Sequence, residues 1–241
     1  DWLLADAEAG EVFAFGLSEP GNDLVMGDSL TTVETVEGGY LFTGTKIFTS
    51  LSPAWTQLAL FGKHTADDGT ETLIHGFITR DTPGWRSLND WDTLGMRATQ
   101  SHTTVLDKAF MPANKVTRKL AVGDTTDPFV FAVFANFLPL IASVYAGIAD
   151  RALELGVETL QKRRSAISGE AYSEHPDLRW RMADAALALD AIEPQLHSIA
   201  DDVDGLVDHG AGWFRKLTGV KQRSTETARH VVDQVMRSAG G

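Results

Sequence analysis

The chain is most informative near its start, at Ser18-Glu19-Pro20-Gly21-Asn22-Asp23. Two further motifs follow at strand-like spacing, Gly44-Thr45-Lys46-Ile47-Phe48-Thr49-Ser50 and Leu94-Gly95-Met96-Arg97-Ala98-Thr99-Gln100-Ser101. A Glu-Pro-Gly sequence alone usually marks only a turn. The three motifs in this order, ahead of a long helical half, are much more specific than any one of them.

The sequence around these motifs, residues 12–122, is typical of short strands separated by turn residues. Gly38-Gly39 predicts a hairpin turn between residues 31–37 and 40–50, because both arms alternate β-branched or aromatic residues with polar ones. Further strands are predicted at residues 58–63, 73–79 and 102–110. We therefore expect an antiparallel β-barrel or sandwich in this part of the chain.

The pattern changes to helical at residues 123–128, where Asp127 is a good N-cap and Pro128 suits the first helical position. Long helices are predicted at about 128–166, 176–208 and 211–239, and their short connections favour an up-down α-helical bundle. The expected fold class is thus α+β and multi-domain, with the β-domain followed by the bundle. The predicted domains are a remnant of a preceding segment (1–12), a middle β-domain (13–123) and a helical bundle domain (124–241).

Composition and charge exclude several classes of function. The formal net charge of −12 argues against a nucleic-acid partner, because a phosphate backbone requires basic patches. The absence of cysteine excludes disulfides, thiolate metal sites and a thiol nucleophile. The seven histidines show no ligand spacing, so no metal site is expected.

One apolar stretch, residues 129–149, has no charged residue and is nominally long enough to span a bilayer. It contains Asn136 and Pro139, however, and it is flanked by Asp127 and Asp150 rather than by basic residues. The better interpretation is a helix buried inside a soluble bundle. We therefore expect no membrane span and a cytoplasmic location.

With the helical half, the three motifs resemble the acyl-CoA dehydrogenase superfamily. The resemblance covers residues 13–241 and implies a β-domain and a helical domain that hold FAD and an acyl thioester between them. Members normally have a further helical domain before this region and another helical stretch after it, so the chain resembles the middle and rear of a larger protein. The implied partners are acyl-CoA or another small-molecule substrate, further copies in a homodimer or homotetramer, and an electron acceptor flavoprotein.

The first motif then provides part of the expected cofactor site. In the family pattern, Phe15, Leu17 and Ser18 offer backbone groups and a hydroxyl to the pyrimidine edge of the flavin. The same loop turns towards the acyl-CoA, which implies that Asn22 binds substrate. Glu19 reads as a structural residue that caps the turn.

The second motif places Phe48 and Ser50 two residues apart on a predicted strand, so both side chains should point to one face. An aromatic ring beside a hydroxyl donor suits a flavin, and the family carries an aromatic residue and a Thr or Ser at these places. The alternative is an ordinary aromatic core residue beside a surface serine. The spacing alone leaves both interpretations open.

In the helical half, Arg163 and Ser165 match residues that in family members reach the FAD pyrophosphate of a neighbouring subunit. The alternative is that these basic residues lie at a helix C-terminus because the helix dipole favours them there.

The catalytic base is the difficulty. Removing the α-proton of an acyl thioester needs a carboxylate within hydrogen-bond reach. One family position for it falls beyond Gly241, and the other falls at Asn136-Phe137-Leu138, where there is no acid. The catalytic residue is therefore unknown. Three functions stay open: an FAD-dependent acyl-CoA dehydrogenase, a flavin monooxygenase of the same fold, and a flavin-free relative acting as a scaffold.

Overall fold

The computed structural model describes residues 2–24 and 26–240. The chain divides into two compact units, Asp1–Val130 and Phe131–Gly241. The predicted boundaries of the domains at 12 and 123 stay a prediction.

The first unit begins with a short helix and continues with a sheet of eight strands. Helix α1 is Trp2–Glu8. The strands are β1 (Phe13–Gly16), β2 (Thr32–Val36), β3 (Gly39–Thr49), β4 (Gln57–Thr65), β5 (Glu71–Thr79), β6 (Trp85–Ser87), β7 (His102–Pro112) and β8 (Val116–Ala121). The three strands predicted after the hairpin are thus present as β4, β5 and β7, each longer than expected.

The sheet is mixed rather than purely antiparallel. Its strand order is β6-β7-β3-β2-β4-β5-β8, and β1 pairs with β4 beside this path. Both β1 and β2 run parallel to β4, whereas the other pairings are antiparallel. The order has two ends, so the sheet is not closed into a barrel. The predicted α+β class is confirmed, and the antiparallel barrel is corrected to an open mixed sheet.

The first hairpin differs from the prediction by one residue. Val36 pairs with Gly39, so the two-residue turn is Glu37-Gly38 instead of Gly38-Gly39. Gly38 has the positive φ of 79° that this turn requires. Gly39 is instead needed for close approach, since a Cβ there would lie 2.2 Å from the backbone oxygen of Met111.

Strands β1 and β2 share one edge of β4 and follow each other along it. β1 pairs with β4 up to Leu60, and β2 meets it at Lys63. Between these points neither strand pairs with Phe61 or Gly62 of β4. Residues 17–31 connect β1 to β2. This connection therefore leaves the sheet before Phe61 and rejoins it after Gly62, which leaves a short gap on the edge of β4.

The core of this unit lies against the sheet and is almost entirely apolar. Its members are buried side chains from six strands and from the connection after β3: Ala14, Val33, Phe42, Trp55, Leu58, Leu60, Ile74, Ile78, Leu106, Ala109 and Met111. Burial of these side chains is the main force that holds the strands together.

The second unit contains four helices, of which the first begins just before it. They are α2 (Pro128–Lys162), α3 (Pro176–Asp190), α4 (Glu193–Asp204) and α5 (Gly212–Ala239). Asp127 accepts the backbone N–H of Phe129 at 2.8 Å, as an N-cap does. The single helix expected at 176–208 is wrong, because it is broken between Asp190 and Glu193. Pro194 explains the break, since its ring has no N–H and would clash with a preceding helical turn.

Helix α2 buries only one narrow face inside this chain. Ala135 and Ala142 pack against α4 and α5, and Ala149 packs against α3 and α5. Residues 129–149 were expected inside the bundle, yet large apolar side chains such as Phe137 and Leu140 are exposed. Within the described residues this is the one helix long and apolar enough to cross a membrane by length and composition, and 17% of its most apolar window is buried. The absence of a membrane span stays a prediction.

Candidate functional site

The connection between β1 and β2, residues 17–31, is organised around the carboxylate of Glu19, which is 4% exposed. Glu19 Oε1 accepts hydrogen bonds from the hydroxyl of Ser29 at 2.7 Å and from the hydroxyl and N–H of Thr31 at 2.6 and 3.0 Å. Oε2 accepts the N–H of Leu30 at 2.8 Å and the amide of Asn22 at 2.7 Å. Glu19 therefore binds both Asn22 and residues 29–31 of the connection and does more than cap a turn.

Lys46 provides the counter-charge from β3. Its Nζ lies 2.6 Å from Glu19 Oε1, and the two side chains are 0% and 1% exposed. The same ammonium donates to the carbonyl oxygen of Phe61 at 2.7 Å, in the gap on the edge of β4. It also lies 4.3 Å from the centre of the Phe61 ring. One buried ion pair thus joins the 17–31 connection, β3 and β4.

The electrostatics of this pair keep both groups charged near neutrality. Burial alone would raise the pKa of Glu19, but the charge and hydrogen bond of Lys46, together with the bonds from Thr31 and Leu30, lower it to about 2. Burial lowers the pKa of Lys46 to about 8, against the opposing effect of Glu19. A buried charge without its partner is strongly destabilising. The pair therefore favours the one arrangement of the two segments in which Glu19 and Lys46 meet.

A backbone bond continues this link to the end of β3, because Ile47 N–H donates to the carbonyl of Ser18 at 2.8 Å. The next residue, Phe48, has a left-handed φ of 58° and is 59% exposed. Its ring makes an edge contact with Trp91 at 6.1 Å between centroids. Phe48 is therefore no ordinary core aromatic residue. Large residues in this conformation are rare and are held there by their surroundings.

The expected reason for grouping Phe48 with Ser50 was wrong, although both residues are exposed. The pairing of β3 with β7 is irregular between Lys46 and Thr49, and β3 ends at Thr49. Strict alternation of side chains therefore does not apply here. The two residues are presented by an irregular strand end rather than by one face of a regular strand.

The third motif lies beside this strand end. Leu51 N–H donates to the carbonyl of Thr99 at 2.9 Å, and Ser52 N–H donates to that of Gln100 at 3.3 Å. The hydroxyls of Ser50 and Ser101 are 2.8 Å apart. All three sequence motifs thus meet where β3 ends.

The remaining residues of the predicted site in the first unit follow β1. Phe15 is 58% exposed, and Leu17 and Ser18 are half-buried. Asn22 serves the connection itself: it donates to Glu19 and to the carbonyl of Asp28, and it accepts the N–H of Leu24. Substrate binding by Asn22 stays a prediction.

Arg163 and Ser165 lie in the second unit, just after α2. The guanidinium of Arg163 donates to the carbonyl of Ala239 at the end of α5 and lies 5.2 Å from the ring centre of Tyr172. Ser165 Oγ accepts the backbone N–H groups of Ile167 and Ser168 at 3.2 Å each. Both side chains thus have local structural partners, and their role in cofactor binding stays a prediction.

The groups around the end of β3 fit a flat aromatic cofactor with a polar edge. Two exposed aromatic rings, Phe15 and Phe48, accompany the Ser18 segment and the Ser50 hydroxyl. A planar ligand stacked on these rings would cover them. A flavin takes such a set, because the protein supplies it with a flat surface and with hydrogen bonds to its ring edge.

Comparison with solved structures defines the fold. Butyryl-CoA dehydrogenase from Megasphaera elsdenii superposes with a TM-score of 0.85 at 19% identity, covering 99% of this chain and 60% of that one. Residues 140–241 match the family model described as "Acyl-CoA dehydrogenase, C-terminal domain". The chain has the acyl-CoA dehydrogenase fold. The resemblance inferred from the sequence motifs is thus confirmed at the level of the superfamily.

Proteins of this fold with different names are similar to the chain. Isovaleryl-CoA dehydrogenase from Oryza sativa is 25% identical over 236 residues, covering 95% of this chain and 54% of the relative. L-evernosamine nitrososynthase from a Micromonospora species is 26% identical over 205 residues, covering 85% of this chain and 48% of the relative. The chain spans about half the length of the curated relatives it matches.

One solved relative of the acyl-CoA dehydrogenase fold contains a flavin. KijD3, in complex with FMN and a dTDP-linked amino-keto sugar, superposes with a TM-score of 0.79 at 23% identity, covering 96% of this chain and 56% of that one. At this identity the likeness defines the fold of the chain and leaves its reaction open.

Sequence reasoning missed the ion pair and the hydroxyls beside the site. A signal for Lys46 was present, since it falls at an inward position of β3, two and four residues after Gly44 and Phe42. A lysine at an inward strand position requires a buried anion. Glu19 was available in the first motif. Thr99 and Ser101 belong to the third motif, but nothing in the sequence indicated that their hydroxyls lie beside that of Ser50.

Proposed function

We propose that the chain is the flavin-binding part of an FAD-dependent oxidoreductase that dehydrogenates an acyl-CoA thioester between its α- and β-carbons. The observation that carries the proposal is the meeting of the three sequence motifs at the end of β3. Bound FAD would supply the redox chemistry by accepting a hydride from the β-carbon.

In this proposal the residues of the chain bind and position the cofactor. Phe48 would lie against the flavin ring, and Phe15, Leu17 and Ser18 would line its polar edge. Ser50 would form a hydrogen bond with the ring. The Glu19–Lys46 pair would hold the two segments in register before the cofactor arrives, so that less ordering is needed on binding.

The proposed dehydrogenation also needs a general base. Residues 136–138 offer none: the Asn136 side chain donates to the carbonyl of Ala132 on its own helix, and Phe137 and Leu138 are apolar. A carboxylate from another part of the protein would have to remove the α-proton. Without it we expect deprotonation to be slower by about 10²–10⁴-fold.

A second candidate is a flavin monooxygenase of the same fold, which uses reduced flavin and oxygen. Two observations favour it: there is no acid at residues 136–138, and a nitrososynthase is among the relatives. Such a reaction needs no base for an α-proton. The same residues would hold the cofactor in both cases.

The assembly and location are part of the proposal. We propose a homodimer or homotetramer in which Arg163 of one copy, with Ser165, reaches the FAD pyrophosphate bound by another copy. An electron acceptor flavoprotein would reoxidise the dehydrogenase, and the protein would be cytoplasmic. A net charge of −12 makes a local cation necessary beside a diphosphate.

Anaerobic mixing of the intact protein, loaded with FAD, with acyl-CoAs of different chain lengths tests the proposal. Rapid loss of the visible flavin absorbance is expected for a dehydrogenase. No loss with any acyl-CoA, but rapid oxygen consumption with supplied reduced flavin, would establish the monooxygenase instead. A protein that binds no flavin would leave the scaffold function.

A further inference from the structure

Three hydroxyl groups form a row that begins at the exposed Ser50, passes through the buried Ser101 and ends at the carbonyl of Met96. Ser50 Oγ lies 2.8 Å from Ser101 Oγ, which lies 2.7 Å from Thr99 Oγ1. Thr99 Oγ1 donates to the carbonyl oxygen of Met96 at 2.7 Å. Ser101 is only 6% exposed, so water has little access to the middle of this row.

The direction of each hydrogen bond follows from the end of the row at the Met96 carbonyl. A carbonyl oxygen only accepts, so the single proton of the Thr99 hydroxyl points to Met96. Ser101 must then donate to Thr99, and Ser50 must donate to Ser101, because each hydroxyl has one proton. Ser50 therefore points its proton inward and presents a lone pair on its exposed side.

The backbone holds this arrangement in place. Leu51 and Thr99 are joined by a backbone hydrogen bond of 2.9 Å, next to the row of hydroxyls. Leu51 and Gln100 have left-handed φ values of 63° and 47°, which non-glycine residues keep only when their surroundings hold them there. The spacing of Ser50 from Ser101 is thus fixed by the main chain on both sides.

We propose that Ser101 and Thr99 are positioning residues that make Ser50 a hydrogen-bond acceptor, so that the site binds reduced flavin more tightly than oxidised flavin. This inference rests on the proposed binding of flavin. The proposal includes the placement of Ser50 beside N5 of the flavin, which carries an N–H in the reduced form and is a bare acceptor nitrogen in the oxidised form. An acceptor hydroxyl stabilises the first form and faces the second with a lone pair.

The size of this preference for reduced flavin follows from the number of hydrogen bonds in the row of hydroxyls. If Ser50 turned its proton to a ligand, one hydrogen bond among Ser101, Thr99 and Met96 would be lost. One neutral hydrogen bond corresponds to about a fivefold change in an equilibrium constant. Reduced FAD should therefore gain about fivefold in affinity over oxidised FAD from this arrangement. For a two-electron couple this raises the midpoint potential of the bound flavin by about 20 mV.

The test is a redox titration of the intact protein with bound FAD, read from the flavin absorbance. Ser101→Ala and Thr99→Val each free the Ser50 proton, the first by removing its acceptor and the second by freeing Ser101 to donate to Ser50. Both should lower the midpoint potential by about 20 mV. The control is Ser52→Ala, which removes a buried hydroxyl that bonds to the carbonyl of Thr49, outside this row.

Dissociation constants for oxidised and reduced FAD, measured separately on the same variants, should change in ratio by about fivefold. Potentials of Ser101→Ala and Thr99→Val equal to that of the wild type would overturn the inference while leaving flavin binding intact. An equal shift of the midpoint potential in Ser52→Ala would also overturn it, because the shift would then not depend on the hydroxyls of Ser101 and Thr99. A wild-type protein that binds FAD in neither form would overturn the proposed function itself.

Discussion

The two units of the molecule place their charges in opposite ways. In the first unit Lys46 is fully buried and Phe48, two residues later, is 59% exposed. In the second unit the ion pairs along the helices are on the surface, as with Lys162 and Glu158. The buried residues that α2 contributes to the two core clusters of this unit are alanines: Ala135, Ala142 and Ala149. The helical unit keeps such charged pairs at the surface, whereas the end of β3 combines a buried ion pair with an exposed ring, an arrangement expected where a protein binds something.

Replacing Lys46 should have the largest effect on stability. Lys46→Met leaves the Glu19 carboxylate buried without its counter-charge, and we expect the free energy of unfolding to fall by about 3–5 kcal/mol. The matched control is Lys162→Met, which removes an exposed helical pair and should cost less than about 1 kcal/mol. Urea unfolding of the three proteins measures both values. Equal losses in the two variants would remove the contrast between the units.

Acid should weaken the same pair gradually. The pKa of Glu19 is about 2 in the folded protein against an ordinary 4.5, so the unfolded chain binds the proton first as the pH falls. The stability from this group is complete above about pH 4.5 and is lost as the pH falls through about 2. Glu19→Gln should lack this loss in a pH series of urea unfolding curves.

His75 provides an internal reference, because its contribution to the stability of the protein is lost over a higher range of pH. Burial, with a smaller effect from Lys46, lowers the pKa of His75 to about 4 from 6.5, so its contribution falls as the pH drops from about 6.5 to 4. Glu19→Gln should keep this part of the profile. A profile in Glu19→Gln identical to that of the wild type below pH 4.5 would count against the role of the carboxylate.

Arg163→Ala tests whether the helical unit contributes to cofactor binding. If Arg163 pairs with the FAD diphosphate, the variant should bind FAD more weakly by about 1.5–3 kcal/mol, measured by absorbance at limiting FAD. Arg164→Ala is the control, since Arg164 is the adjacent arginine and bonds locally to the carbonyl of Gly169. If only the stability of the unit changes, the contact of Arg163 with Ala239 is its whole role.

Removing the exposed ring should have the smallest effect on stability. Phe48→Gly removes a left-handed strain and a side chain that is 59% exposed, so the free energy of unfolding should change by less than about 1 kcal/mol. Phe42→Ala, on the same strand but fully buried, should cost about 3–5 kcal/mol. Calorimetry compares the two, and FAD affinity should fall in Phe48→Gly. A large loss of stability in Phe48→Gly would show that its ring is structural.

Much of the fold could be predicted because short-range sequence patterns indicate its helices, strands and turns. The alternation in β3, the loop between β4 and β5, and Asp127 before Pro128 all indicate elements that the structure contains. The parallel pairing of β1 with β4 could not be predicted, because it joins residues far apart in sequence with no short-range signal. The break before Pro194 was readable, since a proline inside a predicted helix is a direct warning.

The site was only partly predictable for a related physical reason. Phe48 and Ser50 were identified through motifs, yet their presentation depends on an irregular strand end that strict alternation cannot anticipate. The role of Glu19 required knowing that residues 17–31 fold back over Lys46. Hydroxyl chains such as that of Ser50, Ser101 and Thr99 depend on contacts between distant segments. Hydrogen bonds between side chains of distant segments can be identified only once the path of the backbone is known.

The gap on the edge of β4 also bears on self-association. Strands with unpaired backbone groups are templates on which another extended chain can add, and proteins protect such edges with charges or covering segments. Here the carbonyl of Phe61 accepts a hydrogen bond from the ammonium of Lys46, which is paired with Glu19 of the 17–31 connection. A molecule that lost the Glu19–Lys46 pair would leave this carbonyl without its buried donor, so we expect such a variant to self-associate more readily than the wild type.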